Sequence, residues 1–341
     1  MTDSRDERVL LAHGGGGQLT DDFIHSRILP RFGNTALAQL GDSASLDLPS
    51  SRICFTTDSY VVKPVFFNGG DIGKLAVCGT VNDLAVSGAR PLVLSLALII
   101  ETGFSFKLLD KILDSIKLQA DESNVRIVTG DTKTVEAGSV DGLFINTAGI
   151  GIRLPQVDLG MSKIKNGDKI ILSGTIGDHG MTIISQREGI KFDSPLKSDC
   201  AALSDLTCRL LEADAQNIKF MRDPTRGGLA VALNDISRAT AMTVEIRELS
   251  IPVNPVVQSA ANMLGFDVLN IANEGKFIAV VSGGSAEKYL SICKNHPLGV
   301  QASVIGEIRE DIQPPAVEII TGIGGRRIVQ MPYGRELPRI C

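Results

Sequence analysis

Apolar positions along the chain follow two periods, and the switches between them outline the elements. RICFTTD, residues 52–58, reads as a strand that ends on a carboxylate. From Asp71 to Ser87 the residues Ile72, Leu75, Ala76, Gly79 and Leu84 fall near one helical face, and Gly88 and Pro91 stop that helix. LVLSLALII, residues 92–100, is continuous enough for a buried strand. Lys107 to Gln119 predicts an amphipathic helix with Leu109, Ile112, Leu113 and Ile116 on its inner stripe. RIVT, residues 126–129, is a strand running into Gly130-Asp131-Thr132-Lys133, and GLFINTAGIGI, residues 142–152, is a glycine-spaced strand. Ahead of all these lie the run His13 to Gly17 and a helix around Asp21 to Leu29.

The pattern resets around Leu154-Pro155, where NGDKIILSG opens a second series. Helices are expected at Gly180–Gln186, Asp199–Ala213, Thr225–Thr240 and Pro255–Leu264. Strands are expected at Thr243–Arg247, Lys276–Val281, Ser303–Arg309, Val317–Thr321 and Arg327–Gln330. Strands that often neighbour one another in each half predict an α+β class: two mixed α/β domains rather than a doubly wound sheet. The expected divisions are a segment with a helix over 1–40, domains over 41–154 and 155–331, and an extended, flexible tail over 332–341. That tail, PYGRELPRIC, has no periodic apolar stripe of its own.

Composition narrows the function. A length of 341 residues fits roughly two domains at about 150 residues each, and 43% apolar residues suffice for large cores. A net charge of −5 supplies no basic footprint for nucleic acid or an anionic membrane, and 4% aromatics without Trp offer no stacking platform. Leu92 to Ile100 is far short of the ~18–20 residues of a membrane span. MTDSRDERVLL has no apolar signal region, so a soluble, cytoplasmic chain is expected. Cys54, Cys78, Cys200, Cys208, Cys293 and Cys341 form no C-x-x-C, which argues against a disulfide scaffold and a structural zinc site.

The chemistry-bearing residues are acids beside small or turn-forming neighbours: Asp42 (GDS), Asp58 (TTD), Asp83 (VND), Asp131 (GDT), Asp178 (GDHG), Asp223 (DPTRGG) and Glu274 (NEGK). Each alone reads as a turn or cap. Together they supply the hard oxygens that suit Mg²⁺ bridging to phosphates. Gly14, Gly15, Gly16 and Gly17 would let backbone N–H groups approach such phosphates, although no Walker or Rossmann signature is present. Lys133 is either a solvated lysine or a group that neutralises a transferring phosphoryl. His179 is a turn histidine or a catalyst, and Arg226 either clamps an anion or caps the fold. Cys341, the last residue of the sequence, reads as a thiol on a swinging arm that visits an interior and an exterior position. Its neighbours Arg335 and Arg339 would favour the thiolate.

The segments FTTDSYVVKPVFFNGGDIGKLAVCGTVNDLAVSGARP, IVTGDTKTV, LFINTAGIG, LSGTIGDHG, MRDPTRGGL, NIANEGK and PRIC jointly resemble the HypE family of hydrogenase-maturation proteins. Its wider superfamily includes aminoimidazole ribonucleotide synthetase, selenophosphate synthetase and thiamine-monophosphate kinase. The resemblance implies ATP-dependent dehydration of a carbamoyl group on Cys341 to a thiocyanate, the source of the cyanide ligand of a NiFe-hydrogenase iron. It further implies a homodimer formed through the N-terminal sheet and ATP in the cleft between domains. Asp42, Asp83 and Asp223 would hold Mg²⁺, with Asp58 and Asp131 as outer members. Gly14 to Gly17, Asn82, Thr132 and Arg226 would contact the nucleotide. The base and electrophile would come from Glu274, Lys133, Asp83 and His179. The implied partners are the carbamoyltransferase HypF and an iron-carrying HypC–HypD complex, with neither nucleic acid nor membrane. Rival readings are another ATP-dependent kinase or synthetase of the superfamily, which needs no such cysteine, and a non-enzymatic thiol-bearing scaffold.

Overall fold

A computed structural model of the chain describes residues 8–14, 18–37, 48, 49, 52–190, 192, 196–332 and 339–341. Asp42, Gly15, Gly16, Gly17 and Arg335 lie outside the described residues. In the first half, α1 (Gln18–Phe23), a π-helical turn (Ile24–Ile28) and α2 (Leu29–Phe32) precede β1 (Ile53–Tyr60). A hairpin of β2 (Phe66–Phe67) and β3 (Gly70–Asp71) leads into α3 (Ile72–Val86). Then come β4 (Ala89–Glu101), α4 (Phe106–Glu122), β5 (Arg126–Val135) and β6 (Leu143–Arg153). Asp71 caps α3 by accepting from Gly73 N at 2.7 Å and Lys74 N at 3.1 Å. This helix is buried nearly all round, because the sheet, α4 and a helix of the second half enclose it.

The first sheet has the order β1-β6-β4-β5, with only β4 and β5 parallel. Its two faces differ sharply. Thr56, Asp58 and Tyr60 alternate onto the face that meets α3, where the Tyr60 hydroxyl bonds Thr80 at 3.2 Å. The opposite face carries Ile53, Phe55 and Ile99, with Phe55 66% exposed. An apolar sheet face without a covering layer is a surface that calls for a partner.

The second half adds β7 (Lys169–Leu172), α5 (Asp178–Arg187), α6 (Ser204–Asp214), β8 (Ile218–Arg222) and α7 (Gly228–Thr240). It continues with β9 (Thr243–Arg247), α8 (Pro255–Leu264), β10 (Ile278–Val281) and α9 (Ala286–Lys294). β11 (Ser303–Arg309), β12 (Val317–Ile320) and β13 (Arg326–Ile328) complete it. The seven strands lie in the order β13-β12-β9-β11-β7-β10-β8, antiparallel except for β12 beside β9. Both halves are thus mixed α/β units, as the sequence predicts. The helix expected from Asp199 begins only at Ser204, because residues 199–203 form an irregular segment that holds a loop of the site described next. No helix among the described residues is long and apolar enough to cross a membrane.

Candidate active site

Four sequence motifs converge where α3 meets the second half, and two asparagines tie them. Asn82 donates to the carbonyls of Ala201 at 3.0 Å and Glu274 at 3.2 Å, and accepts from Leu203 N at 2.8 Å. Its amide is therefore committed to joining the halves. Asn273 accepts from Gly177 N at 2.7 Å and donates to Pro224 O at 2.9 Å, which fixes GDHG and DPTRGG against NEGK. Asp199, which no sequence signal singles out, holds the NEGK turn: it accepts from Glu274 N at 3.1 Å, Gly275 N at 3.2 Å and Lys276 Nζ at 3.3 Å. A Cβ on Gly275 would lie 1.8 Å from the Asp199 carbonyl oxygen, so that turn admits only glycine.

These ties gather a set of acids. Thr56 Oγ1 donates to Asp83 at 2.8 Å, and Arg226 donates to Asp58 at 3.1 Å. Burial pushes the Asp83 carboxyl up despite the Thr56 bond. Asp223 is pushed up to about 7 by burial and then by the neighbouring Asp83. Glu274 is only 3% exposed and its Oε1 has no hydrogen-bond partner. Burial, with added like charge from Asp223, Asp199 and Asp58, drives its pKa far above the ordinary carboxylate range.

Cys341 sits against this cluster. Arg339, Ile340 and Cys341 lie beside residues 61–63, with Val61 N donating to Cys341 O at 3.2 Å and Lys63 N to Arg339 O at 3.4 Å. Ile340 is 4% exposed. The Cys341 thiol lies beside the Arg226 guanidinium, and burial and the nearby Glu274 push its pKa up to about 11. Arg339 does not assist the thiolate as the sequence suggests. Its guanidinium pairs with Asp141 and lies 5.3 Å from the Phe144 ring. His179 contacts the tail backbone instead of the thiol: its Nε2 meets Ile340 O at 2.9 Å and its Nδ1 meets Ser198 Oγ at 2.8 Å. Burial keeps the ring neutral, so Nε2–H donates to the carbonyl while Nδ1 accepts from the serine.

Lys133, Asp131 and Thr132 are not part of this cluster. β5 continues past Thr129 to Val135, so Asp131 and Lys133 stand side by side and pair at 3.0 Å. The row Ser59, Asn146, Ala97, Asp131 crosses the sheet, so Asp131 is three strands, about 14 Å, from Ser59. It also shares the outer face with Ser59, whereas Asp58 faces α3. Thr132 and its neighbours line a separate cavity of 230 Å³ with Thr20, Ile24 and Ile28. Gly14 ends a 3₁₀ turn on that side, where Thr134 Oγ1 bonds Leu11 O at 2.5 Å.

The acids have a thermodynamic signature. Folding raises Asp223 from 3.8 to about 7, so within that window the native chain holds a proton that the unfolded chain has released. Stability therefore falls as pH rises through the window, by up to about 4 kcal/mol. In chelator, calorimetric unfolding temperatures should decline across this range, and Asp223→Asn should flatten the decline.

The two halves match the AIR synthase related proteins, the N-terminal domain over residues 40–153 and the C-terminal domain over 165–313. Two α/β domains with acids gathered where they meet are thus a member of that class. A carbamoyl dehydratase HypE of Bradyrhizobium diazoefficiens is 46% identical over 339 residues, covering 99% of this chain and 98% of that protein. Among solved structures, a hydrogenase maturation protein HypE in complex with ATP is 40% identical with a TM-score of 0.93, covering 97% of this chain and 99% of that one. A HypE–HypF complex contains a chain 46% identical with a TM-score of 0.80, covering 91% and 99%. The chain belongs to the HypE family of hydrogenase maturation proteins.

Proposed function

We propose that this chain is an ATP-dependent carbamoyl dehydratase that converts a carbamoyl group carried on Cys341 into a thiocyanate, the source of cyanide for a NiFe-hydrogenase iron. The observation that carries the reading is the half-buried Cys341 sulfur beside the Arg226 guanidinium and near a buried Glu274 carboxyl with an unpartnered oxygen. ATP would supply the phosphoryl group that makes the carbamoyl oxygen a leaving group. Glu274 accepts a proton from the carbamoyl nitrogen, and Arg226 steadies negative charge next to the sulfur.

Asp83 and Asp223 are fit to hold Mg²⁺, with Asp42 as a third ligand. Burial raises both pKa values, with added like charge from Asp58 on Asp83 and from Asp83 on Asp223 that a divalent cation would relieve. Neutralising Asp223 also removes part of the like charge that keeps Glu274 protonated, so cation binding prepares the base.

Loading is assigned to HypF, in keeping with the HypE–HypF complex of a similar chain, and unloading to an iron-carrying HypC–HypD complex. The homodimer is assigned to the outer sheet face of Ile53, Phe55 and Ile99. Lys133 shares that face, so its role in offsetting phosphoryl charge requires the second copy. Phe55→Asp should yield a monomer by light scattering with an unchanged circular dichroism spectrum, and a persistent dimer removes this face from the interface. The test of the activity is intact-mass spectrometry with HypF, carbamoyl donor and ATP. A carbamoyl adduct that becomes lighter by one water as ADP accumulates supports the reading. A chain that takes no adduct and forms no ADP above background does not act this way.

A further inference from the structure

The seat of residues 339–341 reads a short peptide rather than a tether. All three carbonyls of the segment are engaged: Arg339 O by Lys63 N at 3.4 Å and by the Arg187 guanidinium at 2.7 Å, Ile340 O by His179 Nε2 at 2.9 Å, and Cys341 O by Val61 N at 3.2 Å. Val61 meets Cys341 while Lys63 meets Arg339, so the segment runs antiparallel to residues 61–63 as an added strand would. Arg339 Nε returns a bond to Val61 O at 3.3 Å. Two side chains supply selectivity, the buried Ile340 and Arg339 paired with Asp141. The receptor groups are themselves held. Ser198 orients His179, the ring packs edge-on against Phe67 at 5.5 Å, and Arg187 also bonds Lys63 O at 2.7 Å.

We propose that this seat is a peptide-recognition site for an Arg-Ile-Cys segment and accepts that segment in trans, from a second copy of the chain or as a free peptide. Among the described residues, the contacts that fix the segment are made by its own three residues. The covalent link to the rest of the chain contributes effective concentration. Such a tether provides an effective concentration on the order of 1 mM. With an intrinsic Kd on the order of 100 μM, the resident segment would weaken binding of an outside peptide about tenfold. The site therefore processes S-carbamoyl-cysteine peptides of this sequence, a step that rests on the dehydratase reading. In it ATP and the S-carbamoyl peptide give ADP, phosphate and the S-cyano peptide. The carbamoyl C–O bond breaks, its oxygen leaves in the phosphate, and of the two amide protons one ends on phosphate and one is released.

The experiment uses the full chain carrying Ile340→Asp, which places a carboxylate in an apolar seat and empties it. Fluorescein-labelled Arg-Ile-Cys should bind this variant in anisotropy titrations about tenfold more tightly than it binds the wild type. Labelled Arg-Asp-Cys should bind neither. Adding His179→Ala or Arg187→Ala to Ile340→Asp should weaken binding at least about tenfold. Absence of binding at 1 mM peptide, or binding that ignores His179 and Arg187, overturns the proposal. In the wild type, excess Arg-Ile-Ser should speed maleimide labelling of Cys341 severalfold while leaving Cys54 unchanged. Turnover is scored separately with S-carbamoyl Arg-Ile-Cys and ATP. Seat-dependent binding without ADP formation retains the recognition site and counts against the dehydratase reading alone.

Discussion

A chain carrying Cys341→Ala takes up no carbamoyl group and forms no thiocyanate, yet binds ATP about as the wild type does. The loss is complete because no other described thiol can stand in. Cys78, Cys200 and Cys293 are buried, and Cys293 is pushed up to about 12 by that burial. Cys54 and Cys208 are half-buried, on β1 and α6, and neither shares the electrostatic neighbours Glu274 and Arg226 that surround Cys341. ATP binding survives because Asp83 and Arg226 have contacts that do not pass through the sulfur, from Thr56 and to Asp58 respectively. Peptide mapping after incubation with the carbamoyl donor system checks this, and normal adduct formation on another cysteine would falsify the assignment.

Glu274→Gln produces the second large effect. The amide keeps the shape of the side chain and its ability to hydrogen-bond, but it cannot accept a proton. Loading of Cys341 should proceed normally, while conversion of carbamoyl to cyano slows by about 10²–10⁴-fold. The pH profile separates a base from a structural group. In the wild type the single-turnover rate rises as Glu274 deprotonates, whereas the variant's residual rate should be flat across the same range. Thermal stability should not fall, since a neutral amide carries none of the cost of charge in a buried site. A variant that dehydrates at the wild-type rate removes Glu274 from the chemistry.

Much of the fold was legible because periodicity and punctuation agree. Pro255 at the start of α8 and Gly265 at its end give the predicted bounds, with Asn254 as the cap. β9 and β11 lie where their apolar runs place them. β8 and α9 were not expected. IKFMR is a short strand with charges inside it, and AEKYLSICK buries only Ala286, Tyr289 and Cys293. Among the site residues, Asp58, Asp83, Asp223 and Glu274 showed themselves as acids among small neighbours. Which side of the sheet Lys133 occupies was not legible, because a single register step decides the face. The seat of residues 339–341 was hidden for another reason. It is built largely from donors to backbone carbonyls, which leave no trace in residue type, and Asp199, Ser198 and Arg187 belong to no recognisable motif.

The place of the Cys341 sulfur near the buried Glu274 has a consequence for the order of the catalytic cycle. With its pKa moved from 9.0 to about 11, the docked thiol presents about a hundredfold less thiolate at neutral pH than it would outside. A docked, empty arm should therefore react more slowly with oxidants and stray electrophiles that would spend the acceptor without product. The same lowered reactivity should slow acylation of the docked thiol, which favours charging while the tail is away from its seat. On the swinging-arm reading, the cargo site is quiet while it is docked and unladen.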